Sequence, residues 1–232
     1  MRIFLFNKKT VIALIVIALI TSAICVGIVE RKKAVQTAKN GITVVIDAGH
    51  GGIDGGVVGK NSGVKESEIN LKIAKMLGSS LSRKGYNCVL TRKDGNGLYQ
   101  IGAKSKKLSD MQKRKEIINS SSADLMISIH QNYFSSSSVK GAQVFFAQNN
   151  EKSGTYAGIF QTEFNAFCSQ NKQAKLADYY VLQCSIIPSI LVECGFLSNA
   201  EDEKNLTTPS YREKLVEMMA TTVDKIFNQT LL

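Results

Sequence analysis

The chain has 232 residues, of which 44% are hydrophobic and 21% are charged, and its formal net charge at pH 7 is +10. This length and composition are typical of one globular domain that can bury its own core, and they exclude a disordered chain or a collagen-like repeat. The positive charge suggests a nucleic-acid-binding protein only until the charges are located along the chain.

Half of the net charge lies in the first 33 residues, which contain six Lys and Arg residues against one acid, Glu30. A second basic region runs from residue 83 to residue 115, with ten Lys and Arg residues against two Asp. Such a region could attract an anionic polymer of the cell wall or a nucleic acid, or it could form an ordinary solvated surface. We favour the solvated surface and predict no nucleic-acid partner.

A basic stretch at the N-terminus is followed by Thr10–Val29, twenty residues without a charge. This apolar run is longer than a typical signal-peptide core and long enough to span a bilayer. We therefore predict export, with residues 1–33 as a signal or membrane anchor and residues 34–41 as a linker. Residues 21–23 form a poor cleavage site, so a cleaved leader and a retained anchor both stay open.

Five cysteines occur, at positions 25, 88, 168, 184 and 194, and no two of them form a C-x-x-C pair. Their odd number does not indicate a disulfide framework. The apolar neighbours of Cys88, Cys184 and Cys194 favour small core residues, and a single disulfide stays open.

Strand and helix patterns alternate after residue 41. The predicted strands are Ile42–Asp47, Tyr86–Thr91, Leu125–Ile129, Ala142–Ala147, one near Tyr180 and Ser189–Val192. The predicted helices are Ser67–Lys84, Leu108–Ser120, one marked by Phe160 and Phe164, and a last one that opens at Pro209. This alternation predicts an α/β fold in which residues 42–232 form a single domain. We expect an open, mostly parallel twisted sheet of about six strands with helices on both faces.

Three buried runs end in side chains that can do chemistry: VVIDAGH ends at His50, LMISIH at His130 and SILVE at Glu193. In a parallel sheet the carboxyl ends of neighbouring strands meet at one edge, where ligands bind. Two imidazoles and a carboxylate form the ligand set of a catalytic zinc that keeps one position open for water. Glu66 and Glu68 could instead supply the carboxylate, which would leave Glu193 free as a general base.

The residues alone leave this metal hypothesis open, because a histidine at a strand end usually does no more than satisfy hydrogen bonds. The loop GHGGIDGG does not fit a phosphate-binding loop either. A G-x-G-x-x-G pattern that begins at Gly49 would need glycine where Asp54 stands, and no helix follows at once. We interpret the glycines as residues that let the backbone bend sharply around a substrate or a metal.

Five ordered motifs of the chain resemble those of a known enzyme family. They are VVIDAGHGGIDGG, KESEINL, VLTR, RKEIINSSSADLMISIHQN and PSILVECGFLSN. The sequence is similar in all five to the zinc-dependent N-acetylmuramoyl-L-alanine amidases, the amidase-3 family, from Ile42 to about Phe227. The resemblance implies an enzyme that hydrolyses the amide between N-acetylmuramic acid and L-alanine in peptidoglycan.

The resemblance also implies roles for individual residues. It places one zinc ion on His50, Glu66 and His130, and it prefers Glu66 to Glu68 because Ile69-Asn70-Leu71 aligns the motif. It implies that Glu193 acts on the water. Asp47 and Asn132 are hypothesised to orient the substrate or to support the metal ligands, and Asp47 could equally pin the loop backbone.

Three positions depart from the family pattern: Lys172, Gln183 and Cys194. We expect them to touch glycan or stem peptide, or to support the metal edge. A short chain with an N-terminal hydrophobic segment resembles most the CwlD-type amidases of endospore formers, which implies removal of stem peptides from spore cortex peptidoglycan ahead of muramic δ-lactam formation. The absence of visible wall-binding repeats leads us to hypothesise that the membrane segment or a separate activator or targeting protein assists the enzyme.

Two alternatives remain at this point. One is a zinc peptidase that acts on another cell-wall amide. The other is a weakly catalytic wall-binding or adaptor protein that keeps the fold.

Overall fold

A computed structural model describes residues 8–10, 12, 14–24 and 41–229. The chain divides into two compact units, residues 1–41 and residues 42–232. In the first unit, residues 8–10, 12 and 14–24 are helical with exposed side chains, and residues 34–40 of the predicted linker and part of the apolar run lie outside the described residues. Nowhere in the described ranges does a helix have both the length and the apolar character of a membrane span.

The second unit contains six strands and six helices among residues 41–229. The strands are β1 (Thr43–Ala48), β2 (Asn87–Leu90), β3 (Leu125–Asn132), β4 (Gln143–Phe146), β5 (Lys175–Leu176) and β6 (Ser189–Phe196). The helices are α1 (Glu66–Arg83), α2 (Lys106–Ser120), α3 (Glu151–Cys168), α4 (Tyr180–Gln183), α5 (Ala200–Thr207) and α6 (Pro209–Gln229).

The strands form one sheet in the order β2-β1-β3-β6-β4-β5. All neighbouring pairs are parallel except β4 with β6, which run antiparallel. The central strands are apolar on both faces, as in β1, where Val44, Val45 and Ile46 are fully buried. Such continuous apolar runs are typical of a parallel sheet that is covered on both sides. The predicted α/β fold is therefore confirmed.

The two faces of the sheet carry unequal layers. One face packs against α1, α3, α5 and α6 and forms the larger hydrophobic cluster, which includes Ile46, Leu77 and Val223. The other face packs against α2 and α4 around Val45 and Met126. Helices on both faces leave the carboxyl edge of the parallel strands as the accessible end of the sheet.

The prediction of a strand near Tyr180 is wrong. Residues 180–183 form the short helix α4, and the edge strand β5 lies earlier and has only two residues. Val181 and Leu182 are adjacent and both buried against the smaller cluster, which a helical turn achieves and an alternating strand does not. A short apolar run of this kind does not distinguish the two states by its own pattern.

Helix α5 was not predicted. It begins after Asn199, whose side-chain oxygen accepts hydrogen bonds from the backbone N–H groups of Glu201 and Asp202. An asparagine cap followed by acidic residues is a recognised helix start. The described cysteines 88, 168, 184 and 194 are all free, and only Cys194 is fully buried.

Candidate metal centre and cleft

Strands β1, β3 and β6 are neighbours and parallel, so their carboxyl ends meet at one edge of the sheet. His130 near the end of β3 stands opposite Glu193 in β6. His50 lies two residues beyond the end of β1. The three strand-end side chains are thereby brought to the same edge, as the alternation of strands and helices predicts.

The chain reverses direction sharply after β1. His50 has a φ of 62°, and the two glycines that follow have φ values of 137° and 62°. A non-glycine residue in this left-handed region carries backbone strain and persists only where its surroundings hold it. The conformation of His50 is therefore imposed by the loop around it.

One carboxylate oxygen lies within hydrogen-bond distance of both imidazoles. Oε1 of Glu66, the first residue of α1, lies 2.9 Å from Nδ1 of His130 and 3.2 Å from Nε2 of His50. The three residues offer ligand atoms within 4.8 Å of one another, so the group could hold a metal ion. Two neutral imidazoles and one carboxylate match the donor set of a catalytic zinc site. The neighbouring Glu68 is exposed and does not belong to the group.

Buried hydrogen bonds orient the Glu66 carboxylate. Oε1 also accepts from the backbone N–H of Gln131 at 3.0 Å and from the side-chain amide of Asn70 at 3.2 Å, and Oε2 accepts from the N–H of Val57 at 2.9 Å. Burial alone would raise its pKa, but the hydrogen bonds and charges of the two histidines hold the pKa well below its usual range. Glu66 is therefore an ionised, fixed acceptor.

Whereas the histidines lower the pKa of Glu66, the carboxylates around His50 raise the pKa of this imidazole. Burial lowers its pKa, but Glu66 and then Asp54, whose Oδ2 lies 2.9 Å from Nδ1, raise the pKa to about 9. An imidazole that is surrounded by carboxylates sits where positive charge is favoured. The same local field would favour a bound cation.

Two glycines leave room for the ligand side chains themselves. A Cβ on Gly49 would lie 2.3 Å from the imidazole of His130, and a Cβ on Gly56 would lie 2.3 Å from Oε2 of Glu66. The sequence predicts that these glycines let the backbone bend around a substrate or a metal. The structure shows a more specific reason at these two positions, because any larger residue would displace a member of the cluster.

Glu193 is buried beside the cluster without being part of it. Its side chain is 8% exposed, and its Oε2 has no hydrogen-bond partner within residues 41–229. Burial raises its pKa to about 7, and the charge of Glu66 adds to this while the two histidines oppose it. A carboxyl group with this pKa can both take up and release a proton near neutral pH.

Asp47 lies below the loop in full burial. Its Oδ1 accepts from Thr91 at 2.7 Å and from Nη1 of Arg114 at 2.5 Å, and its Oδ2 accepts from Ser128 at 2.6 Å. Burial would raise its pKa, but Arg114 and the two hydroxyls lower the pKa to about 2. Asp47 therefore contacts the loop through Arg114, and it also lines the cleft.

Two arginines to which the sequence assigned no role bind the backbone of the loop that follows β1. Arg114 of α2 donates to the carbonyl of His50 at 2.6 Å as well as to Asp47, and Arg92 donates to the carbonyls of Ala48 and Gly49 at 2.8 and 3.0 Å. Both arginines are buried. They satisfy backbone carbonyls that the turn removes from the sheet, and this explains how the strained loop is held.

Asn132 ends β3 and lines the cleft, where its Oδ1 accepts from the N–H of Tyr133 at 2.8 Å. Of the three departures from the family pattern, neither Lys172 nor Gln183 is among the residues that line the cleft. Lys172 donates to two backbone carbonyls and lies over the ring of Phe196. Cys194 is buried on the strand that bears Glu193.

The cluster and Glu193 open into a cleft of about 760 Å³. The residues that line it include four tyrosines and two lysines: Tyr99, Lys106, Lys107, Tyr133, Tyr179 and Tyr180. A cleft of this size fits a substrate larger than a single amino acid. Fold and site together define an α/β protein with a candidate His–Glu–His metal centre at the carboxyl edge of its sheet.

Comparison with known proteins gives the family. The profile of the N-acetylmuramoyl-L-alanine amidases, Amidase_3, matches residues 44–225, and the chain belongs to this family of enzymes. The germination-specific N-acetylmuramoyl-L-alanine amidase of Bacillus subtilis (strain 168) is 30% identical over 195 residues, which cover 82% of this chain and 81% of that protein.

Two solved structures show the same fold. The CwlD amidase from Clostridioides difficile, in complex with the GerS lipoprotein, is 35% identical with a TM-score of 0.77 over 82% of this chain and 99% of that chain. An N-acetylmuramoyl-L-alanine amidase from Clostridium difficile 630 is 30% identical with a TM-score of 0.72 over 82% of this chain and 98% of that chain. The predicted enzyme class and the peptidoglycan substrate are thereby supported.

Proposed function

We propose that the protein is an exported, zinc-dependent amidase that removes stem peptides from peptidoglycan by hydrolysing the bond between the muramic acid lactyl group and L-alanine. The family match supports the reaction, and the His–Glu–His group supports the metal. The assignment of His50, Glu66 and His130 as zinc ligands and of Glu193 as general base is part of the proposal.

The observation that carries the proposal is the position of Glu193. It stands opposite His130 in the sheet, it lines the cleft, and one of its oxygens has no partner within residues 41–229. A buried carboxylate without a partner is costly for the folded protein, and a structural role would normally satisfy it. A carboxylate that must accept a proton from a water in the cleft needs a free oxygen.

The proposed reaction assigns separate roles to the metal ligands, to Glu193 and to the two buried arginines. Zinc held by His50, Glu66 and His130 would polarise the scissile carbonyl and activate a water. Glu193 accepts the proton of the attacking water and returns it to the leaving amine of L-alanine, and burial supports both transfers because it raises the pKa of this carboxyl group above its ordinary value. Arg114 and Arg92 hold the loop so that His50 keeps its position during the reaction.

The biological setting that we propose is the spore cortex. Two relatives support it, the germination-specific amidase of Bacillus subtilis and the CwlD amidase of Clostridioides difficile. The latter was solved in complex with a lipoprotein, and this supports our hypothesis that a separate protein activates or targets the enzyme. We further propose that residues 1–33 export the protein and either anchor it in the membrane or are cleaved.

The test is the chemical identity of the released ends. Purified protein is incubated with isolated peptidoglycan and zinc, and mass spectrometry identifies the new termini. Peptides that begin with L-alanine support the amidase, whereas any other new N-terminus would indicate the zinc peptidase. Binding to the wall with no released peptide, even with zinc and a candidate activator added, would indicate the adaptor protein.

Matched glutamate variants test the site. We expect Glu66→Gln to lose zinc and activity together, while Glu68→Gln, two residues further along the same helix and exposed, keeps both. Equal behaviour of the two variants would show that the cluster is not the metal site.

A further inference from the structure

Two lysines lie at the rim of the cleft. Lys106 and Lys107 are the first two residues of α2, both are exposed, and both line the cavity that contains the His–Glu–His group. Nζ of Lys106 lies 5.4 Å from the ring centre of Tyr99, another cleft residue.

The ammonium group of Lys106 contacts an aromatic ring, but neither rim lysine is neutralised by a described carboxylate. Arg114, the other Lys or Arg side chain that lines the cleft, is buried and paired with Asp47 and Asp110. In the part of the chain from 41 to 229, neither rim lysine forms an ion pair with a carboxylate. Among the described residues, the two positive charges therefore have no carboxylate partner at the place where a substrate would enter.

Their position on the helix is also unfavourable for the fold. The N-terminal end of a helix carries partial positive charge and favours acidic residues in its first turn. Helix α2 has no acidic residue there and begins with two lysines instead. Two lysines in the first turn oppose the helix dipole, and a residue choice that opposes local helix stability is expected mainly where it serves a function.

We propose that Lys106 and Lys107 bind carboxylates of the stem peptide and make the enzyme prefer stems whose carboxylates are free. This inference rests on the proposed amidase function. The lactyl carboxyl group of muramic acid is part of the scissile amide and carries no charge in the substrate, so the stem supplies the anion. A peptide ends in a carboxylate and can carry further ones on its side chains, and a pair of ammonium groups complements such a chain.

The experiment compares two soluble muramyl-peptide substrates that differ only in whether the stem carboxylates are free or amidated. For the double variant Lys106→Gln/Lys107→Gln, we expect KM for the free-acid substrate to rise roughly three- to tenfold, with kcat nearly unchanged. For the amidated substrate we expect wild type and double variant to have the same KM. The double variant Lys106→Arg/Lys107→Arg should restore KM for the free acid.

Lys104→Gln is the matched control, because it removes one charge two residues before the pair and does not line the cleft. The proposal is overturned if the Gln double variant leaves KM for the free acid unchanged, if KM rises equally for both substrates, or if Lys104→Gln alone reproduces the rise. A wild-type protein that cleaves neither substrate, even with zinc and a candidate activator added, would refute the proposed function itself, and the lysine assignment with it. Thermal unfolding of each variant confirms that these exposed substitutions leave the fold intact.

Discussion

Replacing Arg114 with leucine should both destabilise the domain and loosen its metal centre. The guanidinium is 2% exposed and donates to the buried carboxylate of Asp47, to Asp110 and to the carbonyls of Ala48 and His50. Its removal leaves Asp47 charged and buried without its cation. Removal of one partner of a buried ion pair typically costs about 3–5 kcal/mol.

The pH dependence of this effect has a definite sign. In the wild type the pKa of Asp47 is lowered from 3.8 to about 2, although burial by itself raises it, because Arg114 and two hydroxyls favour the ionised form. This carboxylate therefore contributes about 2 kcal/mol of stability that is fully present above pH 4 and is lost as the pH falls from about 4 to 2. Without Arg114 the effect of burial is opposed by only the two hydroxyls and the charge of His130, so the pKa of Asp47 rises and mild acidification lessens the defect.

The assay is urea unfolding of wild type and Arg114→Leu between pH 4 and 7, together with zinc affinity by chelator competition. We expect the stability defect to be largest at pH 7 and zinc to bind about 10- to 100-fold more weakly, since the carbonyl of His50 loses its support. Asp47→Asn/Arg114→Leu should recover part of the stability. A defect below about 1 kcal/mol at pH 7, or one that grows with acidification, would refute this reasoning.

The remaining predictions concern the base and the glycine loop. Glu193→Gln should lower kcat about 10²- to 10⁴-fold and abolish the acidic limb of the pH–rate profile, since the amide cannot accept a proton. That limb should lie at or below pH 7 in the wild type, because the pKa of Glu193 is about 7 before a nearby cation lowers it. Gly49→Ala should lose zinc, because its Cβ would collide with the ring of His130, whereas Gly95→Ala, with open space around it, should bind zinc normally. Steady-state kinetics over pH and metal analysis check these outcomes, and a zinc-loaded Gly49→Ala would contradict the steric argument.

Much of the sheet could be predicted because its central strands are buried on both faces. Such strands appear as uninterrupted apolar runs, and their last residues necessarily lie at one edge of a parallel sheet. This is why His50, His130 and Glu193 could be grouped although up to 143 residues of sequence separate them. Their convergence follows from topology and does not depend on side-chain detail.

The choice of Glu66 over Glu68 depended on the family resemblance, because the predicted helix began at Ser67 and left Glu66 outside it; the structure supplies the physical reason for the choice. Glu66 continues the buried stripe of α1 that includes Ile69, Ile73 and Leu77, whereas Glu68 falls on the exposed face. A glutamate on the buried stripe of a helix is unusual enough to indicate function.

Arg114 could not be identified in this way. It stands between Lys113 and Lys115 in a helix of strongly polar composition, so no local pattern separates it from solvent-facing lysines. Its partner Asp47 is 67 residues away in sequence, and only the packing of α2 on the sheet brings the two together. Helix α4 was missed for the related reason that burial of Val181 and Leu182 on the sheet, and not their intrinsic preference, decides their conformation.

The most direct test of the account separates the zinc ligands from the base in one experiment. Zinc content and release of peptides with N-terminal L-alanine are measured for wild type, His130→Ala and Glu193→Gln, each with and without added zinc. We predict that wild type binds one zinc and releases the peptide, that His130→Ala loses both, and that Glu193→Gln keeps zinc but releases almost no peptide. Undiminished peptide release by Glu193→Gln, or full zinc binding by His130→Ala, would contradict the proposed mechanism.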